Sequence, residues 1–154
     1  MELQKIASFS VDHTKLEKGI YVSRIDGDIT TYDIRMKKPN KEEVMTTGAC
    51  HTIEHLFATY ARNSEFKDKI IYVGPMGCRT GFYLLVRNMS DADALKLTKD
   101  SFEFIKNFEG EIPGAKEAEC GNYRDHDLNG AKKEAETYLR TLQNLTVADM
   151  RYKQ

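Results

Sequence analysis

Residues 19–36 read GIYVSRIDGDITTYDIRM, two strand-forming runs with a turn between them. The first run, residues 19–25, is rich in β-branched and aromatic side chains, which favour strands. Asp26-Gly27 is a dipeptide typical of two-residue hairpin turns. In the returning run, Ile34 and Met36 alternate with polar residues, so one face of that strand is expected to be buried. These residues therefore predict an antiparallel hairpin.

The elements around the hairpin indicate an α+β fold. Ser90 is expected to begin a helix, because it can cap the N-terminus and acidic residues fill the first turn. The apolar stripe expected to pack this helix on the sheet consists of Leu97, Phe104, Ile105 and Phe108. The other predicted elements are a helix over about 47–63, strands over 69–73 and 81–86, the end of the Ser90 helix near Asn107 and a last helix over roughly 128–142. Strands in hairpins with helices between them favour one antiparallel β-sheet packed against helices.

The composition is that of a small globular protein. A chain of 154 residues is long enough for one core, so a single domain over 1–154 is expected. Its 23 Lys+Arg and 24 Asp+Glu nearly cancel, and nucleic acid is therefore not an expected partner. We see no apolar run long enough to span a membrane and no signal-like region at the N-terminus. Three cysteines, an odd number, argue against a disulfide framework. A cytoplasmic protein that binds no membrane is expected.

The predicted helix over 47–63 contains His51-Thr52-Ile53-Glu54-His55, an HxxEH motif within an apolar stretch. Residues four apart share one face of a helix, so His51 and His55 can direct their imidazoles at one ion. Glu54 lies beside the same face and can supply a carboxylate base. The motif is the inverted form of the zinc-peptidase motif, and it predicts a metal-binding helix.

The residues alone leave the third metal ligand open. A catalytic metal usually has three protein ligands and one open position. Cys50 is expected to point away, because it lies about 100° around the helix from its neighbour His51. Cys78 lies in a glycine-rich turn and Cys120 precedes a glycine, so either thiol can approach a metal closely. His126 is expected to support the loop that follows Cys120, or to cap the last helix, rather than to serve as a ligand.

Five short segments, spread over nearly the whole chain, match the motifs of a known family in the same order. They are SFSVDH at 8–13, DIR at 33–35 with PN at 39–40, HTIEHL at 51–56, PMGCRTGFY at 75–83, and CG at 120–121 with HDL at 126–128. HxxEH alone is a weak signal, but its combination with PMGCRTG and the later Cys-Gly pair is specific. In these segments the chain resembles the S-ribosylhomocysteine lyase family, also called the LuxS family.

The resemblance implies cleavage of S-ribosylhomocysteine to homocysteine and 4,5-dihydroxy-2,3-pentanedione, the precursor of the autoinducer-2 signal of quorum sensing. The sulfur is bonded to C5 of the sugar, whereas the carbonyl begins at C1. The carbonyl must therefore migrate twice before the thiol can leave by β-elimination. Each migration passes through an enediolate, whose charge a Lewis-acidic ion stabilises. Proton transfer in these steps needs bases that titrate near neutral pH.

The resemblance also implies the metal and the assembly. The ligands are expected to be His51, His55 and Cys120, holding one divalent ion per subunit. Fe(II) is the ion that the resemblance implies, with zinc or cobalt able to substitute. A thiolate suits iron and zinc alike, so the ligand type does not decide between them. The family assembles as a homodimer with its active sites at the subunit interface, and the same is expected here.

The same resemblance assigns the remaining site residues. Cys78 is expected to be the acid and base of the migration steps, with its thiolate favoured by the nearby ion, by backbone amides of the glycine turn and by Arg79. Glu54 is expected to be the base of the later steps. Arg35 is expected to bind the homocysteine carboxylate through a two-point fork. The substrate contacts together are Ser8, His13 and Arg35.

Two other functions fit part of the pattern. In an inverted-motif zinc metallopeptidase, Glu54 would activate a metal-bound water, and Glu119 or Glu134 would complete the ligands. That alternative leaves two cysteines without a role, and the chain is short for such an enzyme. A metal-binding module or sensor would instead have a closed site with four protein ligands, including His126.

Overall fold

A computed structural model describes residues 1–153 and has the predicted α+β architecture. The strands are β1 (Gly19–Asp26), β2 (Ile29–Arg35), β3 (Ile70–Pro75) and β4 (Gly81–Arg87). The helices are α1 (Thr47–Asn63), α2 (Asp91–Asn107) and α3 (Leu128–Leu142), and short 3₁₀ turns occur at Ala7–Phe9, Lys67–Lys69 and Val147–Asp149. The strands form one antiparallel sheet in the order β1-β2-β4-β3.

The β1–β2 hairpin forms as predicted, but its turn lies one residue later. Asp26 pairs with Ile29, so the two loop residues are Gly27 and Asp28 rather than Asp26 and Gly27. Gly27 adopts φ +63°, a left-handed conformation that favours glycine. Both possible two-residue turns, Asp26-Gly27 and Gly27-Asp28, contain the glycine. The pairing between the two strands therefore decides which turn forms.

The three long helices begin after residues that cap them. Each capping side chain accepts a hydrogen bond from a backbone N–H of the first turn, and the caps are Thr46 for α1, Ser90 for α2 and Asp127 for α3. Such caps satisfy N–H groups that have no partner within the helix. The predicted bounds of all three helices are confirmed, whereas β3 and β4 each end one or two residues later than predicted. Within residues 1–153, none of the helices combines the length and apolar character needed to cross a membrane.

The hydrophobic core lies between the helices and one face of the sheet. Alternate residues of the central strands point into it, and α1 lays its apolar face against them. The fully buried members include Ile34, Phe82 and Leu84 from the sheet and Leu56 and Phe57 from α1. This packing holds α1, and therefore the HxxEH motif, in a fixed position on the sheet.

The apolar stripe of α2 packs mainly against other helices, not on the sheet as predicted. α2 lies beside α1 and α3. Leu97 and Ile105 are buried, whereas Phe104 and Phe108 are only partly covered. The Phe104 ring lies 5.2 Å from the Tyr60 ring of α1. Periodicity identifies the apolar face of a helix, but it does not identify the partner that covers that face.

The opposite face of the sheet carries the polar members of the alternating pattern. Asp33 and Arg35 of β2 point to this face, and Tyr83 of β4 pairs with Asp33 in register. Asp33 and Arg35 are nonetheless buried. Tyr152 of the C-terminal segment covers Asp33, and its hydroxyl donates to Asp33 Oδ2 at 2.7 Å. A charged pair is thus enclosed on the side of the sheet away from the hydrophobic core.

Candidate active site

Both histidines of the HxxEH motif lie half-buried on one face of α1. Each ring is held by a backbone carbonyl from a later loop. His51 Nδ1 donates to the Asp125 carbonyl at 2.9 Å, and His55 Nδ1 donates to the Pro113 carbonyl at 2.8 Å. A carbonyl can only accept, so in both rings Nδ1 carries the hydrogen and Nε2 keeps a lone pair. Metal-binding histidines are usually oriented in this way.

Two further side chains join these histidines in a compact donor cluster, consisting of His51, His55, Cys120 and His126. One donor atom from each lies within 4.8 Å of all the others. Cys120 Sγ is 3.4 Å from His51 Nε2. Tetrahedral ligands at the usual zinc–sulfur and zinc–nitrogen lengths are about 3.5 Å apart, so this pair fits one divalent ion. The donor cluster is therefore suited to hold a metal ion.

The three cysteines occupy three different environments. Cys120 belongs to the donor cluster, whereas Cys78 is exposed and lines a separate cavity. Cys50 is buried in α1 as expected, and burial raises the pKa of its thiol to about 11. The fold thus brings Cys120, and not Cys78, to the histidine pair, a distinction that the spacing of the residues left open.

His126 is the member of the donor cluster that sequence reasoning placed outside the ligand set. It does not cap α3, because Asp127 does so. Its ring stacks on the His51 ring with centroids 3.9 Å apart, and its Nδ1 lies 3.0 Å from Thr52 Oγ1. Burial, together with nearby His51 and His55, lowers the pKa of His126 and so favours the neutral ring. No periodicity relates a loop histidine to a helix face, and only the fold reveals these contacts.

A cavity of about 520 Å³ gathers most of the other predicted residues. Its lining includes the predicted substrate contacts and the predicted acid and base of the migration steps, namely Ser8, His13, Arg35 and Cys78. Within residues 1–153, neither Glu54 nor any member of the donor cluster lines it. The predicted site residues therefore form two groups in one chain, a donor cluster and a cavity.

A chain of hydrogen bonds leads from β2 to Cys78. The Arg35 guanidinium forks onto Asp33, with Nε and Nη2 donating at 3.0 and 2.7 Å. Arg35 Nη1 donates to Thr80 Oγ1 at 2.8 Å, and the same Oγ1 lies 3.0 Å from Cys78 Sγ. A guanidinium cannot accept a hydrogen bond, so Thr80 accepts from Arg35. Its own hydrogen is available to a thiolate at Cys78, which can only accept. The Cys78 sulfur thus lies beside a hydroxyl group that is held by a fixed positive charge.

Both arginines named from the sequence make contacts that were not predicted. Burial disfavours the charge on Arg35, but its hydrogen bonds and charge interaction with Asp33 outweigh this effect and raise its pKa. Within residues 1–153, three of its five N–H groups have partners, which leaves one on Nη1 and one on Nη2. Arg79, expected to assist Cys78, instead donates to the Met45 carbonyl at 3.0 Å. Arg35 is the cation linked to Cys78, through Thr80.

Glu54 lies between the two histidines in the sequence of α1 and is half-buried. Within residues 1–153 its carboxylate takes part in no hydrogen bond or ion pair. The glutamates that a metallopeptidase would need are elsewhere, since Glu134 pairs with Lys37 at 2.8 Å and Glu119 is exposed. Neither belongs to the donor cluster.

The chain is similar throughout to proteins of one family. The family model described as S-ribosylhomocysteinase (LuxS) matches residues 6–148. An S-ribosylhomocysteine lyase of Borrelia garinii subsp. bavariensis is 49% identical, over 97% of this chain and 99% of its own length. The S-ribosylhomocysteine lyase of Porphyromonas gingivalis is 53% identical, over 90% of this chain and 91% of its own. That of Finegoldia magna is 48% identical, over 97% and 99%.

Proposed function

The chain belongs to the S-ribosylhomocysteinase (LuxS) family and cleaves S-ribosylhomocysteine, and we propose that its donor cluster and its cavity share this reaction. It is a carbon–sulfur lyase, whose products are homocysteine and 4,5-dihydroxy-2,3-pentanedione, the autoinducer-2 precursor. The observation that carries the assignment of residues is the donor cluster, in which two imidazoles and a thiol each place a donor atom within 4.8 Å of the others and one nitrogen lies 3.4 Å from the sulfur.

The ligands of that ion are proposed to be His51, His55 and Cys120. Their support is the fixed orientation of the two Nε2 lone pairs and the short distance from one of them to the sulfur. Fe(II) is the proposed ion in the cell. Zn(II) or Co(II) can replace it, because imidazole and thiolate ligands suit all three ions. When bound, the ion supplies Lewis acidity that stabilises negative charge on the sugar oxygens during carbonyl migration.

Cys78 is proposed to move the protons of the two migration steps. Each step removes a proton from the carbon beside the carbonyl and returns a proton to the former carbonyl carbon. The sulfur is exposed within the cavity, where a bound sugar can reach it. The hydroxyl of Thr80, held by Arg35, donates to the sulfur and stabilises its negative charge between transfers. Thr80 is therefore a positioning residue for Cys78.

Glu54 is proposed to be the base of the elimination. It removes the proton beside the final carbonyl, and the electron pair of that bond expels the homocysteine thiolate from C5. Its support is a half-buried carboxylate that has no partner among residues 1–153 and lies on the same helical turn as His55.

The substrate is proposed to bind through Ser8, His13 and Arg35, which line the cavity together with Cys78. Arg35 keeps one N–H group on each terminal nitrogen, and these can hold the carboxylate of the homocysteine moiety. His13 Nδ1 donates to the Val11 carbonyl at 2.8 Å, which leaves Nε2 as an acceptor for a hydroxyl or ammonium group. Ser8 supplies a hydroxyl from the N-terminal segment.

The active assembly is proposed to be a homodimer in which the cavity of one subunit faces the donor cluster of its partner. The reaction needs both groups at one sugar, yet they share no residue within residues 1–153. The N-terminal segment that carries Ser8 also exposes Leu3, Ile6 and Phe9. Burial of these apolar side chains against a second subunit would stabilise the dimer and hold Ser8 at the shared site.

The experiment that tests this division of work compares Cys78→Ala with Glu54→Gln. Thiol release is followed with a chromogenic disulfide, and ¹³C NMR of labelled substrate locates the carbonyl. Cys78→Ala is expected to leave the substrate unreacted or stalled at the first enediol-derived species. Glu54→Gln keeps the side-chain shape and the metal, so the carbonyl should advance while homocysteine release slows by ~10²–10⁴-fold.

The control is Glu111→Gln, an exposed glutamate outside both the donor cluster and the cavity, which should react like the wild type. Thiol release near the wild-type rate by Glu54→Gln would remove Glu54 from the mechanism. Peptide-bond cleavage by the wild type without thiol release would instead favour the metallopeptidase alternative.

A further inference from the structure

His126 differs from the other two histidines of the donor cluster in the group that holds its Nδ1. His51 and His55 donate Nδ1–H to carbonyls, which fixes their Nε2 lone pairs. His126 Nδ1 instead meets the hydroxyl of Thr52 at 3.0 Å. A hydroxyl can donate as well as accept, so this contact by itself leaves two tautomers of His126 possible.

The second contact of Thr52 decides between them. The backbone N–H of Asp127 donates to Thr52 Oγ1 at 3.0 Å, so the hydroxyl oxygen already accepts one hydrogen bond. Among residues 1–153, the acceptor within reach of the hydroxyl's own hydrogen is His126 Nδ1. Thr52 is fully buried, and buried polar hydrogens are rarely left without an acceptor. The hydroxyl therefore donates to Nδ1, and the imidazole hydrogen of His126 must be on Nε2.

We propose that His126 presents Nε2–H to the sulfur of Cys120 and is a positioning residue of the metal site, not a ligand. Nε2 lies 3.9 Å from Cys120 Sγ, within reach of an N–H···S hydrogen bond. The inference rests on the proposed metal site.

This tautomer has a consequence for catalysis. Catalytic metal sites have three protein ligands and an open position, whereas structural sites are closed by four. A third imidazole lone pair would close the site, but a histidine that directs N–H at the cluster cannot do so. The N–H also withdraws charge from the sulfur, so a bound ion keeps more of its Lewis acidity. Thr52 thereby keeps one position free for the substrate.

The direct test is NMR of the full-length protein, labelled with ¹⁵N-histidine and loaded with ¹¹³Cd(II), which couples to nitrogens bound to it. We expect couplings to Nε2 of His51 and His55 and none to His126, whose Nε2 should carry a directly bonded hydrogen. Coupling to His126 Nε2 would overturn the inference but would still support the proposed metal site. Absence of coupling to all three histidines would overturn the metal site together with the inference.

Variants of Thr52 test the cause of the tautomer in the same cadmium-loaded form. Thr52→Val keeps the side-chain shape but removes the hydroxyl, so His126 is expected to gain the other tautomer and a coupling to the ion. Thr52→Ser keeps the hydroxyl and is expected to give the wild-type spectrum. Identical His126 signals in the two variants would contradict the role of Thr52.

The cobalt-loaded protein gives an independent readout of the bond to sulfur. Loss of a hydrogen bond raises the energy of the sulfur lone pairs, so the thiolate-to-cobalt charge-transfer band should move to longer wavelength in His126→Leu. The band is expected to stay in place in His126→Gln, whose amide N–H can occupy the position of Nε2–H. An unmoved band in cobalt-loaded His126→Leu would overturn the proposed hydrogen bond.

Discussion

Cys120 and Cys78 carry the same thiol but have different neighbours, and their removal should have different effects. Cys120 Sγ lies 3.4 Å from His51 Nε2, whereas Cys78 Sγ lies 3.0 Å from the Thr80 hydroxyl. We expect purified Cys120→Ala to lose its metal and Cys78→Ala to keep it, because only the first change removes a donor from the cluster. Elemental analysis decides the matter. Full metal content in Cys120→Ala would contradict this assignment and make Glu119, the residue before Cys120, a candidate ligand.

Thr80 is expected to control the reactivity of Cys78. Thr80→Val keeps the shape of the side chain and removes the hydroxyl that donates to the sulfur. Without this donor the charged form of the sulfur loses a hydrogen bond, so alkylation of Cys78 by iodoacetamide at neutral pH should slow severalfold. Thr80→Ser, which keeps the hydroxyl, should react at the wild-type rate. The rates are measured by mass spectrometry of the Cys78 peptide.

Cys50 is the internal control of that measurement. It is buried, and burial raises the pKa of its thiol to about 11, so it should stay unmodified in every variant. Labelling of Cys50 in Thr80→Val would reveal unfolding rather than a change at Cys78. Equal alkylation rates in Thr80→Val and Thr80→Ser would contradict the role assigned to the hydroxyl.

Two glycines near the connection between β3 and β4 have opposite requirements. Gly81, the first residue of β4, pairs with Arg35, and a Cβ at Gly81 would overlap the carbonyl oxygen of Ile34. Gly77 lies in the connection itself, and a Cβ there would meet no atom of residues 1–153 within 4 Å. Gly81→Ala should therefore lower the free energy of unfolding by more than ~2 kcal/mol, because the backbones of β2 and β4 must separate, whereas Gly77→Ala should change it by less than ~0.5 kcal/mol.

Urea denaturation of the two alanine variants under identical metal loading measures this difference. Gly77 is the matched control, because it lies in the turn directly before β4 and undergoes the same substitution. If Gly81→Ala were as stable as Gly77→Ala, the close approach of β2 and β4 would be wrong. The position of Arg35 beside Thr80 would then be in question as well, since the same strand pairing sets it.

At the scale of the whole molecule, a shared active site predicts that two inactive subunits can restore one another. In a mixed dimer of His13→Ala and Cys120→Ala subunits, one site contains both changes and the other contains neither. Such a dimer should keep one working site, about half of the wild-type activity, while each mutant homodimer is inactive. The measurement is thiol release by tagged mixed dimers isolated after subunit exchange.

The matched control pairs His13→Ala with Cys78→Ala. Both residues line the cavity, so every site of this mixed dimer carries one damaged cavity and no activity should return. Equal recovery in the two mixtures would contradict a site built from the cavity of one subunit and the donor cluster of the other. A monomer by light scattering at the working concentration would exclude the dimer itself.

The sequence alone determined those features that depend on neighbours along the chain. Alternation predicted the β1–β2 hairpin, capping residues predicted the start of α2, and the spacing of His51 and His55 placed two imidazoles on one face of α1. Each depends on interactions over a few residues, whose geometry is the same in any protein. The resemblance carried by the HxxEH and PMGCRTG segments added the reaction.

The tertiary structure decided which residues meet across long stretches of chain. Cys120 reaches His51 over 69 residues, and Thr80 reaches Arg35 over 45. His126 joins the donor cluster because Thr52 and the stacked ring of His51 hold it there. Loops have no fixed period, so spacing in the chain does not set the distances between their side chains. Those distances follow from the packing of helices and strands, and that packing forms only when the whole core does.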